Sequence, residues 1–392
     1  MRTVIGIMVV TQLSFSVTVG LEDLLGNAQQ PQQIKQMIED EFNALESKTL
    51  ADIQTNPLTF NHALSRSSSP NQSGFEYEIG MSKEFKLGNI QALEEKANQL
   101  NHEAQSIEQE KVLVALANRL KNDYHQYCLD QDYAGSFQEK FERFSLLYHK
   151  KRKAYEEDEI SRTELVQIEL EKNSLENELN SFIQQVEDEK QGLLRLTSFS
   201  NEQSISCQDT YPFNRDFESE NSNFPLTQSA YEKRIKSTQI ALKRQSKKFE
   251  TIQLSTGYLR ELERDVYTIG VSIPLNLSSR KSEYERASLL HHSSALSVQN
   301  EHFLVKRNHE INRLKAELTR AYQSIINQEA SIQDFKNRLL PLMQKSYEYG
   351  ESSVVEYLLS QQQLSLKESA LLEHKKGYYQ TLFTLYNISE KR

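Results

Sequence analysis

The chain has 392 residues, a formal net charge of −9 and only 12 glycines, 7 prolines and no tryptophan; 26% of its residues are charged against 37% apolar. This usage belongs to long helices with much wetted surface rather than to a compact enzyme. Lys and Arg are interleaved with acids instead of gathered into a basic stripe, which excludes nucleic acid as a partner.

Residues 1–20 read as a secretory signal: Arg2, an apolar run from Val4 through Val10, then Thr18 and Gly20 as small residues ahead of Leu21-Glu22-Asp23. This pattern places cleavage after Gly20. No later window has the ~20 apolar residues of a spanning helix, so membrane insertion would require strands.

Two segments, near 57–64 and 75–87, carry strand signals. Phe75, Tyr77, Ile79, Met81, Phe85 and Leu87 alternate with Glu76, Glu78, Gly80, Ser82, Glu84 and Lys86, with a lapse at Lys83, and Leu58, Phe60 and Leu64 precede them. Residues 89–196 then read as a helical hairpin. Ala97, Leu100, Ala104 and Ile107 step by three and four as a coiled-coil seam does. Some seventy residues at ~1.5 Å each predict a helix of about 100 Å.

Cys128 and Cys207 belong to no CxxC pair and have no His in metal-ligand spacing. A disulfide and two free thiols are both compatible with the sequence. Residues 201–225 lose periodicity and turn Ser-, Asn- and Asp-rich, an irregular connector that either packs on the helices or links them loosely.

The second half, 226–388, repeats the first, 21–200. Ile79-Gly80-Met81-Ser82 recurs as Ile269-Gly270-Val271-Ser272, and Tyr155, Ser161 and Glu164 recur as Tyr347, Ser353 and Glu356. Strands are expected near 251–259 and 266–277, followed by a second helical hairpin over 280–388. Four such strands cannot close a barrel alone, whereas three copies would pool about twelve.

Three motifs carry a family resemblance: Ile269 through Leu277 with Arg280 and Ala287, Asp158 through Leu165, and Tyr347 through Leu358. Asn27 to Pro31 opening the first helix and Phe224-Pro225 opening its counterpart complete the order. Through them the chain resembles the TolC-like outer-membrane efflux factors, and among these the CzcC-type heavy-metal efflux channels. The resemblance implies a mainly α fold with a membrane β-barrel portion, in which long hairpins form a trimeric α-barrel and four strands per protomer join a 12-stranded outer-membrane barrel. It implies a homotrimer in contact with outer-membrane lipid, extending into the periplasm. It also implies a periplasmic adaptor and a proton-driven inner-membrane pump as partners, with no cofactor, no metal site and no enzymatic activity. Drug efflux or type I protein secretion, and a periplasmic coiled-coil structural protein, are the alternative readings.

Within the resemblance, Asp158, Glu159, Ile160 and Ser161 form one hairpin tip and Gly350, Glu351, Ser352 and Ser353 the other, where an adaptor would dock. Gly350 suits the positive φ at a helix stop, and Ser161 and Ser353 suit helix caps. Asp158 departs from the glycine pattern at the first tip. Glu356, six residues after Gly350, matches an acidic pore-gate position, and Tyr347 matches one that helps hold the tip closed. Leu359 replaces a second acidic ring. Adjacent His291 and His292 point about 100° apart on a helix and cannot readily share an ion.

Overall fold

The computed structural model describes residues 18–28, 36, 40–41, 43–44, 46–47, 50–51, 57–68, 73–215, 225–247, 249–274 and 280–391. The elements in chain order are β1 (Thr18–Val19), α1 (Leu21–Ala28), β2 (Thr59–Ser68), β3 (Ser73–Lys86), α2 (Ile90–Glu156), α3 (Arg162–Leu196) and β4 (Ser204–Ile205). They continue with α4 (Leu226–Gln245), β5 (Thr251–Arg260), β6 (Asp265–Ser272), α5 (Arg280–Asp334), a π turn (Phe335–Leu339), α6 (Leu340–Glu348) and α7 (Val354–Ser389). The chain divides into two compact units, one of residues 36–112 and 223–308, the other of residues 1–35, 113–222 and 309–392.

The first unit is built on an antiparallel sheet in the order β2-β3-β5-β6. Side chains alternate across a strand and paired residues share a face, so the register decides what each face carries. The rows Phe60–Met81–Thr256–Ile269 and His62–Ile79–Tyr258–Tyr267 lie on one face, together with Leu64, Phe75, Leu254 and Val271. The rows Thr59–Ser82–Ser255–Gly270 and Asn61–Gly80–Gly257–Thr268 lie on the other, with Glu76, Glu78, Leu259 and Val266. The apolar face is bare: Ile269 is 90% exposed, Tyr267 78% and Phe75 67%. Beside the sheet, α2 and α4 approach closely through small residues, with Ala104 and Ala230 buried and Ser237 Oγ donating to the Ala97 carbonyl at 2.8 Å. Arg234 pairs with Glu108 at 2.8 Å and Arg244 with Glu94 at 2.8 Å across the same helices.

The second unit packs the later part of α2 against α3, α7 and the later part of α5. Leu120, Tyr124, Tyr127 and Cys128 of α2 face Leu193 and Leu194 of α3 and the buried Val19, Leu21 and Leu24. Ile311, Leu314, Leu318 and Ile325 of α5 face Tyr378, Tyr379, Leu382 and Phe383 of α7. Leu120, Tyr124 and Tyr127 of α2 and Ile311, Leu314 and Leu318 of α5 step by three or four, as one apolar stripe per helix requires.

The connector is folded over its described part, 197–215. Cys128 and Cys207 form a disulfide. Tyr124 Oη donates to the Ser206 carbonyl at 2.6 Å, and the Tyr211 N–H donates to His125 Nε2 at 2.8 Å while His125 Nδ1 meets the Lys121 carbonyl at 2.6 Å. Burial pushes the imidazole down to about 4, so at neutral pH it is uncharged with both ring nitrogens engaged. Tyr378 Oη bridges the Asn214 N–H and carbonyl, and Tyr379 Oη donates to the Tyr211 carbonyl. Outside the short β1–β4 pairing, tyrosine hydroxyls satisfy much of the segment's backbone, so it needs no helical or strand period.

Several boundaries differ from sequence expectation. β2 runs to Ser68 and β3 begins at Ser73, since cross-strand pairing continues past the apolar residues. Helix α1 begins at Leu21, which places Asn27 inside a helix rather than at an opening; Gln29 to Pro31 lie outside the described residues. Pro225 does stand at the N-cap of α4, with Phe224 outside the described residues. The second hairpin is not one helix down to its tip, because the π turn and Pro341 interrupt it. Residues 1–17 lie outside the description. Thr18 and Val19 pair in parallel with Ser204 and Ile205, so a cut after Gly20 would remove a folded strand.

Candidate functional site

The two hairpin tips have the same backbone geometry, residue for residue. At the first, Asp158 takes φ 60°, its N–H donates to the Tyr155 carbonyl at 3.1 Å, and the Glu159 N–H closes on the Ala154 carbonyl at 2.8 Å. At the second, Gly350 takes φ 73°, its N–H donates to Tyr347 at 3.1 Å, and the Glu351 N–H closes on Ser346 at 2.8 Å. This is the left-handed stop that ends a helix by satisfying its last carbonyls. Aspartate tolerates that region better than most residues, which is how the first tip manages without glycine.

Ser161 and Ser353 then cap the ascending helices. The Glu164 N–H donates to Ser161 Oγ at 3.1 Å, and the Glu356 N–H to Ser353 Oγ at 3.3 Å. Here the copies diverge. Glu356 turns back to accept the Ser353 N–H at 2.9 Å and closes a reciprocal capping box. Its equivalent, Glu164, instead accepts a hydrogen bond from Tyr347 Oη at 2.6 Å.

That bond joins the hairpins. Tyr347 is only 7% exposed and stacks on Tyr357 at 5.1 Å between ring centroids, 13° from parallel. Lys151 lies 4.2 Å over the Tyr347 ring and 3.5 Å from Glu164. Burial, and then the Glu164 carboxylate, hold the Tyr347 phenol well above its ordinary pKa, so it stays protonated and donates. One cation, one carboxylate and one phenol thus close the gap between tips, and beside them opens a cleft of about 650 Å³ lined by Lys140, Arg143, Lys150, Lys336 and Tyr347.

The structure brings Tyr347 into contact with the first tip. Asp158, Glu159, Ser161, Gly350, Glu351 and Ser353 stay exposed on the turns, with Ile160 and Ser352 half-buried. Glu356 is exposed with its carboxylate engaged on its own helix cap. Sequence patterning passes over Lys151, Glu164 and Tyr357 as site residues. The signal for Glu164 was present, since the repeat sets it opposite Glu356. His291 and His292 are exposed on α5, and no group of three or more His, Cys, Asp or Glu among the described residues is placed to hold a metal ion. Among the described residues no helix is long and apolar enough to cross a membrane.

No family model and no curated protein matches the sequence. Solved structures do match its fold. The outer membrane protein VceC of Vibrio cholerae superposes with a TM-score of 0.75 over 95% of this chain and 96% of its own, at 14% identity. The Campylobacter jejuni CmeC outer membrane channel gives 0.76 over 94% and 85%, at 13% identity, and the open-state Neisseria gonorrhoeae MtrE outer membrane channel 0.72 over 95% and 89%, at 14%. The chain therefore has the fold of these outer-membrane channel structures along almost its whole length.

Proposed function

We propose that this chain is one protomer of an outer-membrane efflux channel, a passive and non-catalytic conduit. The observation that carries the reading is the sheet: one face is mostly apolar and bare, with Phe60, Met81, Tyr267 and Ile269, the other mostly small and polar, as a barrel wall between lipid and water requires. Its outer strands β2 and β6 have no further partner among the described residues. With four strands of alternating direction, β6 of one copy beside β2 of the next continues an antiparallel ladder, and open edges are what closure removes. Three copies would supply twelve strands, a number suited to a closed barrel. Recovery of heat-modifiable trimers from the outer-membrane fraction would support this; a soluble monomer would overturn it.

The tips are the docking surface in this proposal. Residues 158–161 and 350–353 would meet the hairpin ends of a periplasmic adaptor that recruits a proton-driven inner-membrane pump. The Tyr347–Glu164–Lys151 contact would hold the mouth closed, with Glu356 as the cation-selecting carboxylate beside it. Cargo is the finest step. Heavy-metal cations rest on the motif resemblance, and a deletion strain tested against zinc, cobalt, copper and a drug panel decides it: unchanged metal tolerance with greater drug sensitivity would reassign the channel to drugs.

A further inference from the structure

Val19 is 1% exposed, set among Leu24, Leu120, Tyr124 and Leu194. Its carbonyl accepts the Ser206 N–H at 2.9 Å, one residue before the disulfide at Cys207, and Ser206 is in turn held by Tyr124. The Gly20 carbonyl takes the first α1 hydrogen bond, from the Leu24 N–H at 3.1 Å. A cut after Gly20 would delete β1, empty the Val19 pocket and leave a charged ammonium on Leu21, itself 1% exposed. Asp209 and Asp23 stand close enough to neutralise that ammonium, with the Leu21 N–H already 3.3 Å from Asp209. Electrostatics therefore does not choose between cleavage sites. Burial does, because losing a filled apolar pocket and a strand pairing is a net cost with no compensating contact.

A leader peptidase needs small residues one and three positions before the bond it cuts, a few residues past the apolar core. Ser14 and Ser16 meet that spacing, six residues past the run ending at Val10, and they spare β1 entirely. We propose that the exported chain is processed at the Ser16–Val17 bond and that Val17 is its first mature residue. Water supplies the hydroxyl to the Ser16 carbonyl carbon and a proton to the Val17 nitrogen as the amide C–N bond breaks, with a leader peptidase as the catalyst. The mature protein then starts one residue ahead of the strand that closes the connector.

This proposal rests on export of the chain, and its test separates the two. The full-length gene is expressed in a Gram-negative host, the outer-membrane fraction is purified, and intact mass and N-terminal sequencing are recorded. The expected result is a chain beginning at Val17. A chain beginning at Leu21, or at Met1 in outer-membrane trimers, overturns the processing site while leaving the channel reading standing. A chain retaining Met1 and confined to the cytoplasm overturns both. Ser16→Phe should accumulate precursor while Ser16→Ala is processed as wild type. Thr18→Glu, which spoils the Gly20 site at an exposed strand position, should leave Val17 as the terminus; loss of processing in that variant would assign the cut to Gly20.

Discussion

Within the unit that carries the tips, two regions are held together by different chemistry. Around the connector the chain is tied by a disulfide, a buried neutral histidine and three tyrosine hydroxyls bonded to backbone. At the tips the two hairpins meet through one phenol, one carboxylate and one lysine, set over an apolar cluster in which Phe144 and Ile168 join Tyr347, Val354 and Tyr357. The first arrangement is redundant, so losing any single bond leaves the others in place. The second has one central polar bond, which a single change removes while the apolar cluster stays. In the conduit proposed above, this division would supply a fixed collar and a releasable mouth.

Breaking the collar should have the largest effect. Removing the Cys128–Cys207 bond frees a loop with a sequence separation of 79, for which the chain-entropy relation gives up to about 4.5 kcal/mol. Cys128→Ala with Cys207→Ala should lower the melting temperature in detergent by many degrees and make 199–215 protease-sensitive; an unchanged melting temperature would place the strength of the collar in the tyrosines. At the mouth, Tyr347→Phe keeps the stacking on Tyr357 and deletes only the donor to Glu164. A hydrogen bond to a charged group is worth roughly 1.5–3 kcal/mol, so the variant should lose stability on that order in chemical unfolding. A double-mutant cycle with Glu164→Gln should show coupling of the same sign, and additive losses would mean the two residues act separately.

The matched turns offer a smaller and sharper contrast, because one site has opposite residues in the two copies. Gly350→Ala should cost about 1 kcal/mol at φ 73°, whereas Asp158→Gly should gain a few tenths to 1 kcal/mol at φ 60°. Equal effects from both changes would mean the turns are not equivalent in solution.

Two buried groups make a milder contribution that varies with pH below neutrality, with opposite signs. Glu189 has a buried oxygen with no partner and sits by Asp130, itself paired with Lys376 at 2.6 Å and bonded to Gln185. Burial, then the Asp130 side chain, raises the Glu189 carboxyl to about 7. A raised acid favours the protonated folded state, so stability falls as pH rises from about 4.5 to about 7. His125 works in reverse: held down to about 4 by burial, it contributes fully above about 6.5 and loses that contribution as pH falls towards 4. The two windows overlap with opposite signs, so Glu189→Gln should steepen the rise of melting temperature with pH between about 4.5 and 7, and His125→Gln should remove the loss on acidification below about 6.5.

The sheet and the turns were legible in the sequence, and the bonds that distinguish the two regions were not. Strand alternation is local, so Tyr267 to Val271 announce their own structure, and the repeat exposes Asp158 and Gly350 as equivalent stops. The partner of Tyr347 sits 183 residues away on another helix, where no periodicity points to it. Cys128 and Cys207 carried no geometry. The connector's order comes from side chains of α2 and α7 reaching its backbone, which reads as a featureless stretch. The π turn ahead of Pro341 was equally silent, since its residues continue a helical pattern.

Single-channel recording in a planar lipid bilayer tests the account most directly. In the proposed channel, purified wild-type protein should give discrete steps of low conductance and Tyr347→Phe steps of clearly higher conductance, with Glu356→Gln, which retains its cap, shifting cation preference alone. A protein that inserts no channel, or a Tyr347→Phe channel identical to the wild type, would contradict the releasable mouth at the centre of this account.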